Sequence, residues 1–171
     1  MQLFNGDYKF RGKHALYVKF LTTERGQLSE DKAIIFERIV DAYMISALVG
    51  LRQNRRSKID DSINESSTIN YGTLQSESNK INYIYRVIML CDKSQGLSEK
   101  ERIDRAFKRD TDKKAIEENM RLFNSYVLGG LEFIYEMFKN FRDQNEKDVE
   151  DKMMNIIQLL QYMSDVPLDF D

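Results

Sequence analysis

IVDAYMISALVGLRQNRRSKIDD, residues 39–61, is an apolar run that carries one aspartate near its start and breaks off into a burst of positive charge. The spacing predicts a helix from Glu30 to about Asn54, with Ser29 as its cap and Glu30 and Asp31 at the positive end of the helix dipole. Its second half is apolar on nearly every side, and in a water-soluble protein such a helix is enclosed by others. The greasiest part, residues 42–51, is only half the roughly 20 residues that a membrane-spanning helix needs.

A second segment behaves the same way. Residues 81–91, INYIYRVIMLC, contain one charge, Arg86. Their β-branched and aromatic content makes a central strand the rival reading, but hairpin turn chemistry is missing elsewhere, which favours helix. Between the two segments, residues 57–79 are rich in small and polar side chains and lose all periodicity, so a long polar loop is expected there. Ser98 and Glu101 then form the S-x-x-E spacing of a capping box, opening a short charged helix to about Arg109, and Asp110 or Asp112 caps the next helix.

That next helix has the clearest pattern in the chain. Ile116, Met120, Phe123, Val127, Leu131, Ile134, Phe138 and Phe141 recur at alternating steps of three and four, with one stutter beside Gly129 and Gly130. Each glycine costs a helix about 1 kcal/mol relative to alanine. Either the close approach of another backbone compensates, or the helix breaks there. Residues 143–145, DQN, read as a short connection to a further helix carrying Val149, Met153, Ile156, Leu160 and Met163. Two matching seams joined this way predict a C-terminal antiparallel helical hairpin. Near the front, Lys13–Leu21 is read as a helix packing Leu16, Tyr17 and Phe20, with a strand paired to Tyr8–Phe10 as the alternative.

The sum is an all-α bundle of five to seven helices, residues 1–171 forming one helical domain. A domain of this length buries about 70% of the surface that its unfolded chain exposes. With 42% hydrophobic and 32% charged residues, the composition is that of a soluble globular chain. The one cysteine, Cys91, cannot form an internal disulfide, and burial is the usual place for a free thiol. With no apolar stretch of signal-peptide length at the front, a reducing, cytoplasmic setting is expected. One proline, no tryptophan and abundant Ile, Lys and Asn fit an AT-rich bacterial or phage gene.

Most catalytic signatures fail on inspection. One histidine, His14, and one cysteine cannot supply a Cys/His zinc site, and the phosphate-binding glycine motifs and G-x-S-x-G are absent. Asp92 and Ser94 begin like a calcium loop, but Leu97 and Ile103 stand where that loop needs Gly and Glu. No metal, no cofactor and no catalytic residue is therefore expected.

Two constellations remain. Asp41, if buried, needs a partner, and Arg86, the lone charge of the other enclosed segment, is the expected one; Arg38, three residues earlier on the same helix, is the local rival. Arg52, Arg55, Arg56 and Lys58 lie where the buried helix emerges, and positive charge is favoured at that end of the dipole. They could instead grip nucleic-acid phosphates, with Arg11 and Lys13 extending the patch. A pI of about 5.6 limits such a grip, since nucleic-acid-binding domains usually exceed about 9. Residues 1–131 carry 22 Lys and Arg against 18 Asp and Glu, while residues 132–171 carry 4 against 10, so the acidic end offers a surface to a basic partner. The leading expectation is a non-enzymatic helical adaptor or assembly subunit that binds a protein partner, with nucleic-acid binding as the alternative. No membrane association is expected, and self-association would run through the C-terminal hairpin.

Overall fold

The computed structural model describes residues 3–22, 35–108 and 112–144, with side chains as far as residue 140. Six helices and one small sheet follow in the order β1 (Tyr8–Arg11), α1 (Lys13–Leu21), α2 (Ile39–Arg52), β2 (Ser66–Ile69), α3 (Tyr71–Ser76), α4 (Ser78–Cys91), α5 (Glu99–Phe107) and α6 (Lys113–Gln144). The architecture is the expected all-α bundle. Its axis is α6, whose 32 residues extend about 48 Å at 1.5 Å per residue.

The helix α2 packs along α6 more extensively than any other pair of elements. Phe123, Val127, Leu131, Ile134 and Phe138 of the α6 seam are buried, as are Val40, Tyr43, Ala47 and Val49 of α2. The helix runs unbroken through Gly129 and Gly130, and the compensation is backbone contact. A Cβ on Gly130 would collide with the carbonyl of Ser46, one on Gly50 with the carbonyl of Tyr126, and one on Gly129 with the carbonyl of Arg55. Phe123, fully buried, is the hub of an aromatic cluster: Phe4, Tyr43 and Tyr85 place their rings 5.8, 5.7 and 5.9 Å from it.

The segment 81–91 is helical, as expected, within α4. Ser98 and Glu101 form both bonds of the capping box that starts α5, and the Asp112 carboxylate accepts from the backbone N–H groups of Lys114 and Ala115 at the start of α6.

Five expectations are corrected. First, α2 begins at Ile39 and not near Glu30: the N–H groups of Ile35 and Phe36 both bond to the Leu21 carbonyl, and Arg38 is extended at φ −129°, so the backbone is committed to α1 before the helix can start. Ser29, its expected cap, lies outside the described residues. Second, residues 57–79 are not one loop. Ser66–Ile69 pairs antiparallel with β1, from Tyr8 opposite Ile69 to Arg11 opposite Ser66, and Asn70 caps α3 by accepting from the Thr73 N–H. Third, α1 is a helix, but it buries His14, Ala15, Val18 and Leu21 and leaves Leu16 exposed. Tyr17 and Phe20 do pack against the core, as expected, both on Tyr135 and the first stacked at 3.8 Å. Fourth, Cys91 is exposed. Fifth, Asp143 and Gln144 still belong to α6, and the second arm of the expected hairpin, from Val149 to Met163, lies outside the described residues.

The glycine contacts set a stability test. Gly130→Ala would gain about 1 kcal/mol of helix propensity, while overpacking typically costs 1–3 kcal/mol and more where backbone cannot move. Steric cost is expected to win by about 2 kcal/mol, lowering the melting temperature by about 4–8 °C. An unchanged or raised melting temperature would mean that α2 and α6 are not in backbone contact.

Candidate functional site

Only Arg52 of the arginine cluster lies on the last turn of α2. Arg52 closes α2, but Arg55, Arg56 and Lys58 follow in an extended segment that leaves α2 and crosses α6. The crossing is fixed by backbone: the Arg55 N–H bonds to the Gly50 carbonyl at 2.8 Å, the Ser57 N–H bonds to the Ser125 carbonyl at 2.9 Å, and the Arg55 carbonyl sits against Gly129. Position 129 has to be glycine for the segment to lie this close.

Beneath the crossing is Glu132, 8% exposed. Its Oε1 accepts from Lys13 Nζ at 2.8 Å, from Ser57 Oγ at 2.7 Å and from His14 Nε2 at 3.0 Å, while Arg55 Nη2 stands 3.4 Å from Oε2. Arg55 also makes a two-pronged contact with Glu136, at 2.6 and 2.5 Å. Burial by itself would raise the Glu132 carboxyl, but the bonds from Lys13 and Ser57 and the Lys13 charge outweigh it and hold the group below its ordinary value. One carboxylate thus ties α1, the crossing segment and α6 together.

His14 is wholly buried, and with Nε2 donating to a carboxylate its Nδ1 has no hydrogen-bond partner. Protonation would place an N–H at that orphaned position, and burial pushes the imidazole below its usual range despite the Glu132 bond. Lys13 contributes through its backbone too: its N–H bonds to Asp60 Oδ2 at 2.7 Å, which starts α1 where the preceding Gly12, at φ 56°, has no side chain to do so.

A second buried network meets α6 at Tyr126, nearly two turns N-terminal to Glu132. Asp92 and Arg105 are 1% and 2% exposed and pair at 3.1 Å. The Asp92 carboxylate also accepts from the Tyr126 hydroxyl at 2.7 Å and from Ser94 Oγ at 2.6 Å, which occupies the oxygens that the calcium-loop comparison singled out. Arg105 donates further to the Met89 and Asp92 carbonyls. Arg56 reaches this network, donating to Ser94 Oγ at 3.0 Å with its guanidinium 5.8 Å from the Tyr126 ring.

The six basic residues singled out from sequence therefore separate. Lys13 and Arg55 converge on Glu132; Arg56 joins the Asp92 network; Arg11 pairs loosely with Asp61 at 3.4 Å on the surface; Lys58 is exposed; Arg52 stays on the last turn of α2. Asp41 does not pair with Arg86. It takes Arg38 at 2.6 and 2.8 Å, because it lies half-exposed in the first turn of α2, and Arg38 reaches on to Glu77. The Arg86 guanidinium lies 4.8 Å from the Phe107 ring of α5. The sequence reading missed Glu132, although GGLEFIY encloses it as apolar residues enclose Asp41, and the argument that a buried carboxylate needs cations applies to it with more force.

The family model described as DNA sulphur modification system-associated protein 4 matches residues 18–162. The chain belongs to this family. No curated protein and no solved structure matches it. Membership associates the chain with a DNA sulphur modification system of several components, and the match spans α2, the crossing segment and α6, hence most of the Glu132 clamp. Among the described residues, no helix is long and apolar enough to cross a membrane.

Glu132→Gln keeps the shape and removes the charge; leaving Lys13 and Arg55 without it is expected to cost about 3 kcal/mol in denaturant unfolding. Glu136→Gln, on the exposed side, should cost less than about 1 kcal/mol. Equal effects would contradict the clamp.

The pH dependence follows from the direction of the His14 shift. A folded value below the unfolded one means that the unfolded chain takes up the proton first as pH falls, so stability is fully present above about 6.5 and lost on acidification below it. With a single histidine in the chain, His14→Gln should flatten the decline in unfolding free energy between pH 7 and about 5.5. An unaltered slope would show that His14 is not buried in the neutral form.

Proposed function

We propose that the chain is a non-enzymatic adaptor or assembly subunit of the DNA sulphur modification system with which its family is associated, holding a protein partner through helical surfaces. The observation that carries this reading is the disposition of charge. Arg55 and Lys13, the cations best placed to grip a phosphate, are drawn onto Glu132 and Glu136, and Arg56 is turned to Ser94 and Tyr126. Large apolar side chains, in contrast, stand in solvent along α4 and α5: Tyr83 is 71% exposed, and Ile103 and Phe107, one turn apart, are 41% and 48% exposed. Aromatic residues of this kind are what protein interfaces enrich and what a phosphate backbone does not need. The reading places the protein in the cytoplasm, beside the DNA on which the system acts.

Nucleic-acid binding is the second reading, favoured by the outer face of the β1–β2 ribbon. There Lys9 lies opposite Thr68 and Arg11 opposite Ser66, with all four residues exposed, the pattern of a surface that positions on phosphates.

Salt separates the two. Combined with the purified components of the system, the chain is expected to form a complex with one of them that persists at roughly 0.5 M salt, where exposed charge contacts are screened. Tyr83→Ser with Phe107→Ser should weaken that complex by at least about tenfold, or about 1.4 kcal/mol, with the helical circular dichroism unchanged. Tight binding of duplex or single-stranded DNA that falls steeply with salt and is abolished by Lys9→Glu with Arg11→Glu would decide for the second reading.

A further inference from the structure

We infer that a cleft between the segment preceding β1 and the first three turns of α6 receives an extended peptide of a partner protein, seating one apolar anchor side chain flanked by a lysine or arginine. The inference rests on the adaptor reading and names a contact of that adaptor which the exposed α4 and α5 side chains do not make.

The cleft holds about 350 Å3, at the small end of the range for ligand pockets and ample for one large side chain with part of its backbone. Phe4, Tyr43, Leu74 and Ile116, all nearly buried, form its floor, with Met120 and Tyr8 as walls. On α6 the lining residues Lys113, Ile116, Glu117, Met120 and Asn124 recur at helical spacing, so they share one helix face.

Two polar groups point to peptide. Asn124 spends its carbonyl on the Tyr43 hydroxyl at 2.9 Å, which leaves its amide N–H groups to donate. The Tyr8 side chain lines the cleft with it, its hydroxyl desolvated enough to raise its pKa. A peptide backbone passing over the anchor supplies carbonyl and N–H groups to both, in the manner of other extended-segment recognition.

The rim decides the flank. Asp7 is held in place by the Tyr71 N–H at 2.7 Å, and among the described lining residues it stands with Glu117 against one cation, Lys113. The excess of carboxylate repels a nucleotide's phosphate and favours Lys or Arg beside the anchor.

Gly6, also at the rim, has nothing within 4 Å of where a Cβ would stand, so Gly6→Trp can block the mouth without touching the core. The test follows backbone amide signals of the full chain while adding a Gly/Ser-framed synthetic peptide with Phe–Arg at its centre, its Phe–Glu and Ser–Arg counterparts, and a short single-stranded oligonucleotide. The Phe–Arg peptide is expected to shift the signals of Gly6, Glu117 and Met120. Phe–Glu should bind about two- to fivefold more weakly at low salt, the range of an exposed ion pair, and Ser–Arg should not bind. Gly6→Trp should abolish the shifts with an unchanged melting temperature, and Glu117→Lys should turn the preference towards Phe–Glu. Binding that survives Gly6→Trp, shifts caused by the oligonucleotide instead, or no shift from any peptide would overturn the inference. If the cleft fails while the salt-resistant complex still forms, the adaptor reading stands and only this contact falls.

Discussion

Backbone-to-backbone contact between α2 and α6 is the constraint on which the remaining structure depends. Gly50 and Gly130 let the two helices meet with no side chain between them, and that distance sets where the chain leaves α2. Two residues beyond the helix, Asn54 turns at φ 46°, and the following segment is carried over Gly129, the third glycine of the contact. The side chains of Arg55 and Ser57 then fall on Glu132, one turn further along α6. Had the helices stood at an ordinary side-chain-filled separation, the crossing segment would have no glycine floor and the clamp no geometry. Packing chooses the site here, and the charges are fitted to it.

Glu132 shows how the magnitudes are balanced. A buried carboxylate costs several kcal/mol unless cations and donors answer it, and three of the groups that answer come from parts of the chain distant in sequence: Lys13, Arg55 and Ser57. The same carboxylate fixes the rotation of α1, because His14 can be buried only where an acceptor meets its Nε2. Basic residues that a linear reading groups as a patch are thereby dispersed over separate parts of the fold. In the adaptor reading proposed above, such a surface holds a shape for a partner.

What was legible in the sequence was local and periodic. The helices through residues 42–51 and 81–91, the α6 seam and the Ser98–Glu101 box each arise from neighbours within a turn or two, and each is present in the fold, although exposed Ile45, Tyr83 and Cys91 show that neither apolar helix is enclosed on every side. What was illegible was non-local. Ser66–Ile69 is only four residues long and three of the four are polar, so it has no detectable alternation; it is a strand because Tyr8–Arg11, more than fifty residues away, is there to pair with it. The late start of α2 depends likewise on bonds from Ile35 and Phe36 to Leu21. Arg38, three residues back from Asp41, has the shorter reach than the distant Arg86, while the partners of Glu132 are distant in sequence, and apolar neighbours alone do not name them.

The helix contact can be measured through its coupling. Gly50 and Gly130 face the same space: a Cβ on either would crowd backbone of the other residue. Unfolding free energies of Gly50→Ala, Gly130→Ala and the double variant form a thermodynamic cycle. Once one methyl has driven the helices apart, the second should cost less, so the double variant is expected to be less destabilised than the sum of the singles by more than about 1 kcal/mol. Additivity to within about 0.5 kcal/mol would show that the two glycines do not share a contact, and the clamp built on that contact would lose its foundation.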